Sequence, residues 1–182
     1  MDQFFSTPHG KISLPAFLPD ATFGQVRGLD AQDLTACQVQ AVMMNSYHLM
    51  QKPGSSVINA LGGLHTFSGW QAPIFTDSGG FQAYSLIRQN SKFGNFTKNG
   101  ILLKDLNSGK KINLTPEKSM RIQWNMGADV LFCLDDCTHI EDEESEQLLS
   151  VERTVLWAKR CKQEFQRLLE NSDNDRDQQR KL

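Results

Sequence analysis

Four short apolar runs, each broken off by a cluster of polar residues, constrain this chain more than anything else in it. They are Ala16–Pro19, Val39–Met44, Pro73–Thr76 and Asp129–Leu134. The stretches between them read as helices. Asp30, with Asp33 three residues on, offers carboxylates to free N–H groups and opens a helix through about Ala36. Pro53-Gly54 starts another, which stops near Gly62-Gly63. Thr115-Pro116-Glu117 combines a hydroxyl cap, a proline at the first helical position and an acid in the first turn, and that helix runs to Gly127. The last, roughly 143–170, carries Leu148, Val151, Val155, Ala158, Cys161, Phe165 and Leu168 at three- and four-residue steps, a stripe expected to face the core.

Alternating strand and helix is the pattern of a parallel sheet. Strands apolar along their whole length are expected where both faces are covered. The polar loops Asn45-Ser46-Tyr47-His48, Asp77-Ser78-Gly79-Gly80 and Asp135-Asp136-Cys137 follow strand C-termini, where α/β folds keep their chemistry. No glycine fingerprint for dinucleotides and no phosphate loop is present, so a (β/α) barrel is favoured over a doubly wound sheet. A full barrel takes about 250 residues and eight strands. This chain has 182. The residues alone therefore give an expectation of an α/β fold of about four βα units, with the shortfall from a closed barrel left open at this point.

Two smaller pieces complete it: a short hairpin over residues 3–14, and an inserted hairpin over 91–114 that turns at Asn107-Ser108-Gly109. Residues 1–170 are read as one unit. The polar stretch from Asn171, NSDNDRDQQRKL, is read as a linker or frayed end.

A net charge of −2 excludes a uniformly basic nucleic-acid glove, but the charge is unevenly spread. Residues 85–125 hold eight basic side chains against two acidic ones, either a phosphate-facing patch or lysines on the solvated face of a hairpin. No apolar run approaches the ~18 residues of a membrane span. The opening MDQFFSTPHGK has no basic patch before an apolar stretch, so no secretory signal is expected. Four cysteines in such a chain are expected as reduced thiols in a cytoplasmic protein.

Asp77 and Asp135 end neighbouring strands and can converge on one pocket. Paired carboxylates suit glycosyl transfer, and a planar acceptor pair matches the adjacent N–H donors of guanine. Both could equally be ordinary helix caps. Ser78-Gly79-Gly80 clears side chains from a place where a flat ligand approaches, or simply forms a tight turn. Phe81 is a stacking platform for a heterocycle or a core residue. Asn45 orients a carboxylate or satisfies local backbone. Cys133, Cys137 and His139 lack a second ligand pair for zinc, so no metal set is expected. His48 and His65 have no nucleophile near them in the chain.

Taken together the motifs resemble one family, the tRNA-guanine transglycosylases (queuine/archaeosine tRNA-ribosyltransferases). The resemblance is carried by FLPDATFGQVRGL, NSYHLMQKPG, GGLHTFSGWQAPIFTDSGGFQAYSL, LTPEKSMRIQWNMGADVLFCLDDCT and SVERTVLWAKRC, in the family's order from about residue 5 to 162. It implies a (β/α)8 barrel that exchanges guanine at the tRNA wobble position for a 7-deazaguanine. It implies that Asp77 is the catalytic, proton-handling residue and that Ser78, Gly79, Gly80 and Phe81 line the base pocket. Asp135 would bind the base edge with Cys137 beside it, and Asn45 would support Asp77. The family's nucleophilic aspartate on a later strand and its Cys₃His zinc cluster have no counterpart here. The resemblance therefore implies a partial TIM (β/α)8 barrel of about four βα units, the N-terminal half, without a cofactor of its own. Its implied partners are tRNA, guanine or a 7-deazaguanine, and a complementary C-terminal half or a second copy. A non-catalytic partner subunit or 7-deazaguanine-binding module is the alternative.

Overall fold

The computed structural model describes residues 3–104, 111–174 and 177–182. The fold is mixed α/β, with one parallel and two antiparallel sheets. The hairpin expected at the start is present: β1 (Gln3–Thr7) pairs antiparallel with β2 (Gly10–Leu14), placing Phe5 opposite the buried Ile12. The parallel sheet is β3 (Val42–Met44), β4 (Ile74–Thr76) and β8 (Val130–Leu131), in that order, with β4 central. Val42 registers with Ile74, and Phe75 with Val130.

Two isolated parallel bridges, Asp20 to Met43 and Val130 to Lys181, widen this sheet by one residue on either side. Ala16–Pro19, expected as a strand, is not one. Pro15 and Pro19 have no N–H to give a ladder. The Pro19 carbonyl still accepts from Met43 N–H (3.0 Å), and Ala21 N–H donates to the Met43 carbonyl (2.7 Å). The backbone therefore lies beside β3 as an irregular stave.

Connecting helices follow each strand. α1 (Ala31–Ala36) starts at the Asp30 cap, with Asp33 closing a reciprocal capping box as its spacing predicts. Asn45–His48, expected as a loop, instead opens α2 (Ser46–Gln51), because the Asn45 side chain caps it. α3 (Ser55–Ala60) falls where Pro53-Gly54 indicated, and the short α4 (Leu64–Ser68) follows it unforeseen. α5 (Gly80–Gln89) begins on the last glycine of the DSGG stretch, its glycine-rich start hiding it from helix propensity. The inserted segment is a three-stranded meander rather than a hairpin: β5 (Gly94–Thr97), β6 (Gly100–Lys104) and β7 (Lys111–Leu114). Its first turn is at Lys98-Asn99. The turn expected at Asn107-Ser108-Gly109 lies outside the described residues.

α6 (Pro116–Met126) has the expected Thr115 cap and ends at Gly127 in the left-handed conformation. It packs against α7 (Glu144–Glu170). α7 differs from its expected stripe. Cys161 and Phe165 are buried, but Leu148, Val151 and Val155 are exposed, and Trp157 is the large side chain driven inward. A helix of 27 residues is about 40 Å long and overhangs strands of two or three residues, so before Trp157 it buries only Ser150. Trp157 stacks on Phe96 of the meander and donates its indole N–H to the Lys98 carbonyl (3.0 Å).

The tail is docked where it is described. Lys181 bridges Val130, Asp177 is buried, and the Arg180 guanidinium lies 4.4 Å over the Trp124 ring. A linker or frayed end was expected, since nothing in the stretch is apolar enough to announce packing. Sheet faces are unequal too. Ile74, Thr76, Val42 and Met44 are buried, whereas Met43 and Phe75, on the other face, are half-buried.

Candidate functional site

The parallel strands point their C-termini at one recess of about 360 Å³, within the ~300–1,000 Å³ range of small-molecule sites. Asp77, Ser78 and Gly79 line it from the end of β4, Phe81 and Gln82 from α5, Leu131 to Cys133 and Asp135 from β8 and its loop, and Leu182 from the tail. Both carboxylates thus line one recess, the convergence that the strand ends allow. Among the described residues they are the only acids lining this recess.

Asp77 is half-buried. Its Oδ1 accepts the backbone N–H of Ser46 (2.8 Å), and its own N–H donates to the Met44 carbonyl (3.2 Å). Burial pushes its carboxyl above the ordinary aspartate value, against hydrogen bonds from Ser46 and Gly79 that favour the charge. A carboxyl so placed is suited to taking and returning a proton.

Asp135 is held from two sides. The Ser78 hydroxyl donates to Oδ1 (2.8 Å) and the Cys137 thiol to Oδ2 (3.2 Å). Burial and the neighbouring Asp135 push the Cys137 thiol up to about 12, so it acts as a donor and not as a thiolate nucleophile. Cys137 and Gly80 stand behind the recess wall and do not line it. Gly80 has a specific reason to lack a side chain. A Cβ there would sit 2.7 Å from both the backbone oxygen and Oδ1 of Asp135. The glycine makes room for the protein's own carboxylate, where the sequence suggested room for a ligand. Gly79 is left-handed (φ +79°) and forms the cap from which α5 departs.

Phe81 is 60% exposed at the rim, which favours the stacking reading over a core one. Asn45 behaves otherwise than the resemblance implies. Its side chain accepts from His48 N–H (2.9 Å) and caps α2, while Asp77 is held by the backbone of the next residue, Ser46. Sequence reasoning missed Ser46, because a backbone donor has no letter. It also missed Gln82, whose buried Oε1 has no hydrogen-bond partner among the described residues. A polar residue one turn inside a helix starting at the DSGG loop was the available clue.

The cysteines do not form a zinc cluster. Cys37 is exposed, Cys133 pairs with the buried Cys161, and Cys133, Cys137 and His139 do not converge among the described residues. The middle basic stretch is divided. Arg88 and Arg121 pair with Asp142 and Glu164, whereas Lys92, Lys104 and Lys111 edge a groove on the meander. No helix among the described residues is long and apolar enough to cross a membrane.

A family model described as queuine tRNA-ribosyltransferase matches residues 4–179. Relatives carrying that name are similar over 161 residues: 42% identity in Shouchella clausii, 39% in Halothermothrix orenii and 38% in Lysinibacillus sphaericus. In each case the match covers 88% of this chain but only 41 or 42% of the relative. The chain thus spans about two fifths of the length of these curated relatives.

Proposed function

The chain belongs to the queuine tRNA-ribosyltransferase family, and from that premise we propose that it is the base-recognition half of a tRNA-guanine transglycosylase. In this reading β3, β4 and β8, with the staves at Asp20 and Lys181, are part of a (β/α)8 barrel. Residues outside the chain complete it, as a C-terminal half supplying the nucleophilic carboxylate and the zinc cluster.

The observation that carries the proposal is the shared recess: Asp77 and Asp135, from adjacent parallel strands, face one cavity edged by an exposed aromatic ring. A guanine or 7-deazaguanine lies against Phe81, with Asp135 accepting from its N–H edge. Ser78 and Cys137 fix the Asp135 oxygens, so their orientation is set before the base arrives. Asp77, raised by burial, exchanges the proton of the outgoing and incoming bases. The partner is tRNA, reached partly through the lysine-edged groove of the meander, and the setting is the cytoplasm.

Exchange of labelled guanine into tRNA, measured after combining the chain with a complementary C-terminal half, tests this. Asp77→Asn is expected to lower the rate about 10²–10⁴-fold, the usual worth of a positioned acid–base group. An unchanged rate would remove the assigned role. The recess has no third acidic side chain among the described residues, which favours a second reading, a non-catalytic base-binding subunit. Calorimetry on the isolated chain separates the two: guanine binding with no exchange in the combined enzyme supports that reading.

A further inference from the structure

The loop that carries Asp135 is gripped along one face of α7. Asp136 N–H donates to the Thr154 hydroxyl oxygen (3.0 Å), and the Asp136 carbonyl accepts from the Ser150 hydroxyl (2.7 Å). Arg153, between them on the helix, donates to the Asp136 carboxylate through Nη1 (2.5 Å) and to the Glu146 carboxylate through Nη2 (2.9 Å). Two turns further along, Cys161 Sγ accepts Leu134 N–H (3.4 Å). Nearer the helix start, Gln147 donates to the Asp142 carbonyl (2.8 Å). The first half of α7, which buries little apolar surface, thus holds a backbone instead.

We infer that Arg153 is a positioning residue for base recognition: with Ser150 and Thr154 it sets the Asp135 carboxylate by fixing Asp136. The inference rests on the reading of the recess as a base site. The two peptide planes between Asp135 and Cys137 are the ones pinned, one by Thr154 and the other by Ser150. Side chains leave a fixed backbone along a few staggered directions, so pinning those planes restricts where both side chains reach. There the Cys137 thiol meets Asp135 Oδ2 (3.2 Å) and the Ser78 hydroxyl meets Oδ1 (2.8 Å).

Asp136 does not line the recess and is not a second base ligand. It is buried, with its carboxylate turned to Arg153. Burial pushes that carboxyl up, and the Arg153 charge and hydrogen bond oppose the rise. The Arg153 side chain is itself mostly buried, so the pair escapes the screening that weakens surface pairs. Removing one partner of such a pair leaves a buried charge uncompensated, which costs far more than losing an exposed one. Glu146 is exposed and adds little.

Two readouts on the full chain test the inference: guanine affinity by calorimetry, and alkylation of Cys137 by iodoacetamide at mildly alkaline pH, followed by peptide mass spectrometry. Arg153→Met and the uncharged Ser150→Ala/Thr154→Val are each expected to weaken guanine binding about 10–100-fold, the worth of a hydrogen bond to a charged group. Both should also speed Cys137 alkylation, because the thiol loses the carboxylate that holds its proton. Loss of the Arg153 charge with Asp135 still in place would do the reverse, since an unpaired Asp136 anion holds the thiol proton more firmly. Arg153→Lys should restore most of the affinity, and Leu148→Ala, on the exposed side of α7, should change neither readout. Circular dichroism checks folding; if Arg153→Met does not fold, Ser150→Ala/Thr154→Val decides. Retention of either the wild-type affinity or the wild-type Cys137 rate in folded variants overturns the inference, as does a slower Cys137. If the wild-type chain takes up no guanine, the base reading falls by itself, and the Cys137 rate still decides whether α7 sets the carboxylate.

Discussion

At Gly80 the usual rule for glycine is reversed. Alanine in place of a helical glycine normally stabilises by up to ~1 kcal/mol, and Gly80 has no left-handed backbone to object. Here the added methyl meets Asp135 at 2.7 Å. Gly80→Ala is therefore expected to destabilise by about 1–3 kcal/mol through overpacking and to abolish base binding, measured by thermal melting and calorimetry. Unchanged binding would mean the Asp135 carboxylate is not where recognition needs it. Asp77 carries the opposite signature. Its folded value is raised by burial, so between the ordinary and the raised value the folded chain holds a proton that the unfolded chain has lost. Stability must then fall as pH rises through that window. Asp77→Asn should flatten the dependence and melt no lower than wild type at neutral pH, even as exchange is lost. That Asp77, Asp135 and Phe81 share one recess was legible in the sequence, because polar and aromatic letters after a strand end have few places to go. Ser46 was not, since its contribution to Asp77 is a peptide N–H. Gly80 was visible, but its purpose needed Asp135 in space.

Helices show where periodicity informs and where it stops. The caps of α1 and α6 were readable because each depends on residues three apart. The α7 stripe was readable as apolar, yet spacing carries no record of which turns overlie a core. Leu148, Val151 and Val155 consequently form an exposed apolar line on a helix whose other side holds Trp157 and Cys161. Such a line promotes association. Val151→Glu is expected to change stability by less than about 0.5 kcal/mol, as an exposed substitution does, while reducing self-association in sedimentation experiments. A marked drop in melting temperature would instead show that this face is covered in solution. The meander illustrates the reverse failure: β5 and β6 turn at Lys98-Asn99, where the hairpin signal Asn99-Gly100 stood in the sequence unread.

For the whole molecule, alternation of strand and helix disclosed the α/β class, but not the sheet's true extent. Its edges are single bridges at Asp20 and Lys181, one flanked by prolines and the other within a polar stretch, and neither looks like a strand on paper. Met43 and Phe75 leave one sheet face half-open, which accords with a chain covering two fifths of its relatives. The grip of Ser150, Arg153 and Thr154 on Asp136 was equally hidden, because polar letters inside a helix read as a solvated face until the fold lays a loop against them. The Arg180 guanidinium over Trp124 has a practical side as well. An indole under a cation emits differently from one facing open solvent, so this ring is a built-in fluorophore for the seating of the last stave. Intrinsic emission can follow that seating with no dye attached.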